Sequence, residues 1–315
     1  MIWLITKIKY HGIGCQINDV FLGIWIYADD IALLAPSRQG LQPMVTLCEN
    51  SANEMKLTFS TNAIIDKCKT KCIVFSNSIV NRDDYSPIML NNLPLPYVNS
   101  VNHLGTILEQ NNSMFKDCNV KRAKFISKIH SLNQEFHFAH PNTVIRLYNI
   151  YACSFYGSNL WDLYSDNVNR IYSSWNVATK VLFKLPYGTH RYFIEPLTET
   201  VHVKPMLCSR FVSFFESLTK CNKLPIRLLA NLCKNDKRTV LGKNLDNIAK
   251  DCGVDNKILT KAFVKQNLKF CRTEQENIWK VNMLKELIDV RRTVNQIDNL
   301  DGHQIDDIIT FLCTD

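Results

Sequence analysis

The stretch GIWIYADDIALLAPS, residues 23–37, decides how the first part of the chain folds. Two adjacent carboxylates, Asp29 and Asp30, stand between two short apolar runs, VFLGIWIY (20–27) and IALLAPS (31–37). Short, partly β-branched apolar runs that are joined by polar turn residues are typical of a β-hairpin. We therefore predict two antiparallel strands with a tight turn at the aspartates, which places both carboxylates at the edge of a small sheet.

Neighbouring carboxylates repel each other unless a cation lies beside them. A hard divalent cation with oxygen ligands is the natural partner. Nucleotidyl transfer uses two such ions, about 3.5–4 Å apart, to hold the attacking and leaving oxygens. Aspartate is also common in ordinary turns, so the pair alone leaves a purely structural role open. The neighbouring segments favour the metal-binding interpretation.

The segments downstream of the hairpin predict a mixed α and β structure up to about residue 110. Ser37 can cap a helix whose apolar positions recur on one face: Leu41, Met44, Val45, Cys48, Ala52 and Met55. The segments KLTFS (56–60) and KTKCIVFS (69–76) have the composition of strands. The segment 90–110 resembles a pair of short strands with a bend at Gly105.

Helical periodicity prevails after residue 112, and prolines interrupt it. We therefore predict an α+β protein with boundaries near residues 112 and 190. Residues 1–112 form an α+β unit, residues 113–190 a basic helical unit, and residues 191–315 a further helical region of unknown role. An aromatic-rich stretch in the middle unit can either stack on nucleic-acid bases or, as is more common, form core: Tyr148, Tyr151, Phe155, Tyr156, Trp161 and Tyr164.

The charge is unevenly distributed along a chain whose formal net charge is +8. Basic residues exceed acidic ones over residues 116–238, whereas residues 286–315 are acidic. Lysine and arginine near phosphates release condensed counterions, so the basic region suits a polyanionic partner. Solvated helix faces would explain the same excess, and charge alone does not decide between the two. The densest basic stretch is KDCNVKRAKFISKIH (116–130).

Composition indicates a globular protein, since 46% of the 315 residues are hydrophobic and 21% are charged. No uninterrupted apolar run reaches the roughly 18 residues of a membrane span, and no signal-peptide pattern is present. We expect a soluble intracellular protein, nuclear or cytoplasmic, with no membrane partner. The 12 cysteines are scattered, and Cys68 and Cys72 are the only close pair. We expect reduced thiols and no zinc site.

An ordered series of segments resembles reverse transcriptases of non-LTR (LINE-type) retrotransposons over about residues 10–195. YADD (27–30) resembles their catalytic hairpin, and GIGC (12–15) resembles the segment leading into it. LQ at 41–42 and CE at 48–49 match the helix that follows. A single four-letter match is weak evidence, whereas several in the right order are specific.

Four later segments continue the resemblance. KLTFSTN (56–62) followed by KCKTKCIVFS (67–76) resembles the next palm motif of the family, and VNHLGTIL (101–108) resembles its Y-L-G primer-grip turn, with His103 in place of the tyrosine. SFYGSNLW (154–161) and VLFKLPYGTHR (181–191) resemble the helical region after the palm.

The resemblance implies part of a right-hand polymerase palm, an antiparallel sheet with a helix, followed by an α-helical thumb. It implies RNA-directed DNA synthesis by two-metal nucleotidyl transfer, with an RNA template, a DNA primer and dNTPs as partners. Asp29 would hold Mg²⁺, or Mn²⁺ in its place, and Asp30 would support the ion electrostatically. The residues expected at the primer or the incoming nucleotide are Tyr27, Ala28, Lys69 or Lys71, His103, Leu104, Gly105 and Thr106. Those expected to contact backbone phosphates in the thumb are Lys121, Arg122, Lys124 and Lys128.

One departure from the family pattern limits the expected activity. The palm of the family uses a further aspartate on a strand upstream of YADD, and no segment before GIGC resembles that motif. Asp19 is predicted to be a turn residue, and Asp66, Asp83 and Asp84 lie in polar, loop-like surroundings. We therefore expect the C-terminal part of a reverse transcriptase that is inactive by itself. A non-catalytic nucleic-acid-binding remnant and a pseudogene product remain as alternatives.

Overall fold

A computed structural model of the chain describes residues 2–62, 67–76, 85–183, 194, 202–254, 259 and 263. Within these residues the protein is mixed α+β, with eight α-helices and four antiparallel two-stranded sheets. The predicted α+β class is therefore confirmed. Asp66, Asp83, Asp84 and most of the segment 181–191 lie outside the described residues, as does nearly everything after residue 254.

The described residues of the N-terminal part form two helices and four hairpins. In chain order these elements are α1 (Ile2–Tyr10), β1 (Gln16–Ile17), β2 (Val20–Phe21), β3 (Ile24–Tyr27), β4 (Asp30–Leu33), α2 (Arg38–Glu54), β5 (Met89–Leu90), β6 (Leu93–Pro94), β7 (Ser100–His103) and β8 (Thr106–Glu109). Each odd-numbered strand pairs with the strand that follows it. Asp19 lies in the β1–β2 turn with a φ of 63°, as predicted for a turn residue.

The described residues after β8 are mainly helical. Their elements are α3 (Phe115–Glu135), α4 (Pro141–Leu147), a π-helical turn (Tyr148–Ala152), a 3₁₀ turn (Ser158–Leu160), α5 (Asp166–Leu182), α6 (Val203–Thr219), α7 (Leu224–Asn235) and α8 (Val240–Asp251). Among the described residues, no helix is both long and apolar enough to cross a bilayer.

Helix α2 begins where the sequence predicts. The Oγ of Ser37 accepts a hydrogen bond from the backbone N–H of Gly40 at 3.2 Å, which satisfies one of the free N–H groups of the first turn. The predicted apolar face is buried at Met44, Val45, Cys48 and Ala52. Met55 is instead the exposed C-cap residue.

The two strands predicted after α2 are not formed, and this part of the prediction is wrong. Lys56 has a φ of 58°, and the N–H of Leu57 bonds back to the Ala52 carbonyl at 2.9 Å to close the helix end. Residues 57–62 then run without regular structure. In the next segment only Cys72 forms a bridge, to Tyr97. A strand-like composition is therefore not enough to form a strand in these two segments, because a strand also needs a neighbouring strand as partner.

The described residues form one large helical core cluster and two small ones. The small clusters lie under the β-hairpins and include Ile24, Met44 and Cys48 in one and Val45 and Ile88 in the other. The large cluster joins side chains from α3 through α8, and its largest fully buried members are Phe125, Tyr148, Trp161, Trp175 and Phe211. Helices on both sides of the predicted boundary near residue 190 thus share one core.

Candidate nucleic-acid interface

The two adjacent aspartates lie at the tip of the β3–β4 hairpin. Tyr27 pairs with Asp30, so Ala28 and Asp29 form the turn, and Ala28 has a φ of 53°. The predicted hairpin is confirmed, with the difference that Asp30 begins β4 rather than sitting inside the turn. All four residues are exposed, and 69% of Tyr27 is accessible to solvent. The tip therefore presents two carboxylates and an aromatic ring to solvent.

The base of the same hairpin is anchored in the core. Ile24 is buried in a cluster with Met44 and Cys48 of α2, and the indole Nε1 of Trp25 donates a hydrogen bond to the Leu22 carbonyl at 2.9 Å. Burial of the base fixes the position of the tip although the tip itself is solvated. This arrangement displays Asp29 and Asp30 at a defined place on the surface.

The donor chemistry of the tip suits one hard cation. Mg²⁺ is usually held by one or two carboxylates together with waters and substrate phosphates, and Asp29 with Asp30 can supply the carboxylates. Among the described residues, no group of three or more His, Cys, Asp or Glu side chains could hold a metal ion. Two neighbouring carboxylates on one turn do not make a complete two-ion site.

The lysines expected near a triphosphate lie on a separate segment. Lys69 is exposed and Lys71 is half-buried. Their segment is fixed by backbone hydrogen bonds between Cys72 and the residues on either side of Tyr97, at 2.9 and 2.8 Å. Within the described chain neither lysine forms an ion pair with Asp29 or Asp30. The structure thus does not bring these lysines and the aspartates into direct contact.

The turn expected at the primer is a tight β-turn that packs against the helical part. Leu104 and Gly105 form the β7–β8 turn with φ values of 49° and 75°, and the predicted bend at Gly105 is confirmed. A Cβ on Gly105 would lie 3.3 Å from Cε1 of Tyr156, and a Cβ on Gly157 would lie 2.6 Å from Oγ1 of Thr106. The two glycines therefore allow the segments 103–106 and 154–160 to interlock.

A buried carboxylate, Asp117, connects these segments to α3. Its Oδ1 accepts hydrogen bonds from the N–H of Ile107 at 3.0 Å and from Nζ of Lys121 at 2.8 Å. Its Oδ2 accepts from Nε1 of Trp161 at 2.7 Å and again from Lys121 at 2.8 Å. Asp117 is only 2% exposed, so its charge is compensated entirely within the protein. The interlocked segments are held in place by this network.

A second buried polar residue anchors the far end of the same loop. The amide Nδ2 of Asn244 donates to the Trp161 carbonyl at 2.7 Å, and its Oδ1 accepts from the Leu163 N–H at 3.0 Å. Asn244 is fully buried and comes from α8. Sequence reasoning missed both Asp117 and Asn244, because Asp117 resembles an ordinary acidic residue in the first turn of a helix, and no local pattern distinguishes Asn244.

The basic residues of α3 have different surroundings. Lys121 is ion-paired with buried Asp117, and removing it from Asp117 would leave a buried charge unpaired. Arg122 faces a groove between α3 and α5 that Arg170 also lines. Lys124 is exposed on a different side, because residues two apart in a helix are about 200° apart around its axis.

Lys128 marks the side of α3 that faces the interlocked segments. Its Nζ donates to the Tyr151 carbonyl at 2.8 Å and lies 3.5 Å from Oγ of Ser154. The same ammonium lies 4.8 Å from the centre of the Tyr151 ring. Lys124 precedes Lys128 by one helical turn and so adjoins this side. Lys128 is therefore positioned beside the segment 154–160, which packs against the β7–β8 turn, and Lys124 lies on the same side of α3. The ammonium of Lys121 also lies near this contact, 3.0 Å from the position that a Cβ on Gly157 would take, but it is paired with Asp117.

No family model, curated protein or solved structure matches the chain. The functional assignment accordingly depends on the sequence motifs and on the geometry of the described residues.

Proposed function

We propose that the chain is part of an RNA-directed DNA polymerase of the non-LTR retrotransposon type. In the intact enzyme it would contribute Asp29 and Asp30 to two-metal nucleotidyl transfer. By itself it would bind a DNA primer paired with an RNA template. The ordered series of motifs supports the family, and one structural observation supports the binding role.

That observation is the packing of the turn formed by His103–Thr106 against the helical part. The resemblance assigns this turn to the primer. In the structure the turn adjoins the segment 154–160, which is in contact with Lys128. A duplex held at the turn would therefore lie beside the ammonium groups of Lys124 and Lys128. Such contacts supply a sequence-independent, salt-sensitive affinity.

A titration of the full chain with a fluorescent DNA primer on an RNA template, at several salt concentrations, tests this proposal. The logarithm of the affinity should fall linearly with the logarithm of the salt concentration. Lys124→Ala should reduce the slope by about one, since one phosphate contact is lost. Arg122→Ala removes the same charge from the same helix and is the matched control, whose slope should equal that of the unmodified chain.

Two results would contradict the proposal. One is an affinity that does not depend on salt or that is undetectable at low salt. The other is a slope that Arg122→Ala lowers and Lys124→Ala leaves unchanged, because that result would place the nucleic acid in the groove between α3 and α5.

A further inference from the structure

A cleft of about 920 Å³ opens between the β7–β8 turn, the segment 154–160 and helix α6. Its size lies within the range of about 300–1,000 Å³ that is usual for small-molecule sites. Most of the surface that lines it is apolar, and hydroxyl and amide groups interrupt this surface. The lining residues include His103, Leu104, Thr106, Tyr156, Asn159, Ser209, Ser213 and Phe214. The cleft therefore combines surfaces that suit a flat ring with groups that can donate and accept hydrogen bonds.

An exposed aromatic ring forms one wall of the cleft. Tyr156 lines it and is 67% exposed. The ring is not loose on the surface, since one edge rests on Gly105, where even a methyl group would be 3.3 Å from Cε1. A tyrosine that is backed by a tight turn and open to solvent on its other side is a ready platform for a nucleobase, because every base has a π-face that can stack.

Two cations lie at the wall formed by the segment 154–160. The guanidinium of Arg210 donates through Nη1 to the carbonyls of Cys153 and Ser154 at 2.9 and 2.8 Å, which holds it at the edge of the cleft that it lines. The ammonium of Lys128 lies 3.5 Å from Oγ of Ser154. Both charges are positioned by backbone carbonyls, and among the described residues neither forms an ion pair with an acidic side chain. They therefore remain available to attract a phosphate.

We propose that this cleft binds one unpaired nucleotide, with its base stacked on Tyr156 and its phosphate beside Arg210. The proposal rests on the proposed function, since it assumes that nucleic acid reaches the β7–β8 turn. It adds to that function a preference for a junction at which a base is not paired. Stacking makes the preference largely independent of which base is present.

The test compares duplexes that differ only at one position. The full chain is titrated with a DNA–RNA duplex that carries one unpaired nucleotide, with the same duplex carrying an abasic residue there, and with a fully paired duplex. The unpaired base should strengthen binding by about 5- to 100-fold over the abasic residue. Tyr156→Ala should abolish this difference, and Tyr156→Phe should retain it because the ring is kept.

Tyr10→Ala is the matched control, since Tyr10 is a highly exposed tyrosine on α1, outside the cleft. It should leave the preference for the unpaired base unchanged. Arg210→Ala should weaken binding of both the unpaired and the abasic duplex. A thermal unfolding curve for each variant checks that the fold is retained.

The outcomes separate this inference from the proposed function. Salt-dependent binding of all three duplexes with equal affinity would overturn the inference and leave the duplex-binding role intact. Absence of binding to the fully paired and abasic duplexes, with Tyr156-dependent binding of the unpaired one, would support the cleft and contradict the duplex-binding role. Absence of all binding, or a preference that survives in Tyr156→Ala, would overturn the inference as well.

Discussion

The indole Nε1 of Trp161 donates a hydrogen bond to Oδ2 of Asp117 at 2.7 Å, and this bond joins the loop of the helical part to the first turn of α3. Because Asp117 also accepts from the backbone of Ile107, the same carboxylate fixes strand β8. The position of β8 relative to α3 therefore depends on Asp117 and its partners, together with the buried Glu109, whose Oε2 accepts from the Lys116 N–H at 3.0 Å.

Removing the negative charge of Asp117 should lower the stability of the protein. Asp117→Asn leaves Lys121 buried without its counter-ion, and breaking a buried pair in this way typically lowers the free energy of unfolding by about 3–5 kcal/mol. Urea denaturation measures the change. Asp166→Asn, which alters an exposed acidic residue in the first turn of α5, should cost less than about 1 kcal/mol. If both variants lost the same free energy of unfolding, the buried contacts of Asp117 would contribute no more to stability than an exposed carboxylate does.

A side chain at position 157 would lower stability for two reasons, the left-handed backbone conformation and the contact with Thr106. A comparison with Gly12 separates the two effects. Gly157 and Gly12 both have positive φ values, 78° and 65°, but a Cβ at Gly12 would meet nothing within 4 Å. Gly12→Ala should therefore cost only the roughly 1–2 kcal/mol of a left-handed conformation. Gly157→Ala should cost clearly more, because the methyl group meets Thr106. The denaturation midpoints of the two variants measure these losses of stability. If Gly157→Ala lowered stability no more than Gly12→Ala does, the interlocking of the segments 103–106 and 154–160 would be refuted.

The buried thiols predict a loss of stability at alkaline pH. Burial raises the pKa of Cys48 from its ordinary value of 9.0 to about 11. A raised pKa in the folded state means that the native protein keeps protons that the unfolded chain loses above about pH 9. The free energy of unfolding should therefore fall between pH 9 and 11, by about 1.4 kcal/mol per pH unit for each such thiol.

The contribution of the Cys48 thiol to this decline can be measured from the slope of the free energy of unfolding against pH. Cys48→Ala should lower stability at all pH values because of the cavity it leaves, but it should also make the decline between pH 9 and 11 less steep. Cys15→Ala, at a half-buried cysteine, is the comparison. An unchanged slope in Cys48→Ala would mean that its thiol ionises as readily in the folded as in the unfolded chain.

The tip of the β3–β4 hairpin should tolerate substitution without loss of stability. Asp29 and Asp30 are exposed, so Asp29→Ala with Asp30→Ala should change the free energy of unfolding by less than about 1 kcal/mol. We also expect no primer extension by the unmodified chain with Mg²⁺ or Mn²⁺, since two adjacent carboxylates do not span two ion positions. Extension that is present in the unmodified chain and lost in the double variant would contradict this expectation.

Elements whose causes are local were predictable from the sequence. The β3–β4 hairpin, the cap at Ser37, the buried face of α2 and the bend at Gly105 each depend on residues within a few positions of one another. The strand predicted over residues 56–60 failed because strand formation needs a distant partner, and the sequence pattern says nothing of where one lies.

The arrangement of the candidate interface could not be predicted for the same reason. Lys121, Arg122 and Lys124 are close in sequence and alike in charge. Helix geometry places Arg122 and Lys124 on different sides of α3, but only tertiary contacts pair Lys121 with Asp117 and direct Arg122 to the groove beside α5. Asp117 acquires its partners Ile107 and Trp161 from segments that are far apart in the chain. A run of charges thus predicts a basic helix, whereas the surface that each charge faces depends on packing.

The position of the primer tests the central claim most directly. A DNA primer whose 3′-terminal nucleotide carries a photoreactive thiobase is annealed to an RNA template, bound to the full chain at low salt and irradiated, and the attached peptides are identified by mass spectrometry. Our account predicts attachment within residues 100–109 or 154–160, lost at high salt. Attachment confined to α5 or α8, or attachment that high salt does not diminish, would contradict it.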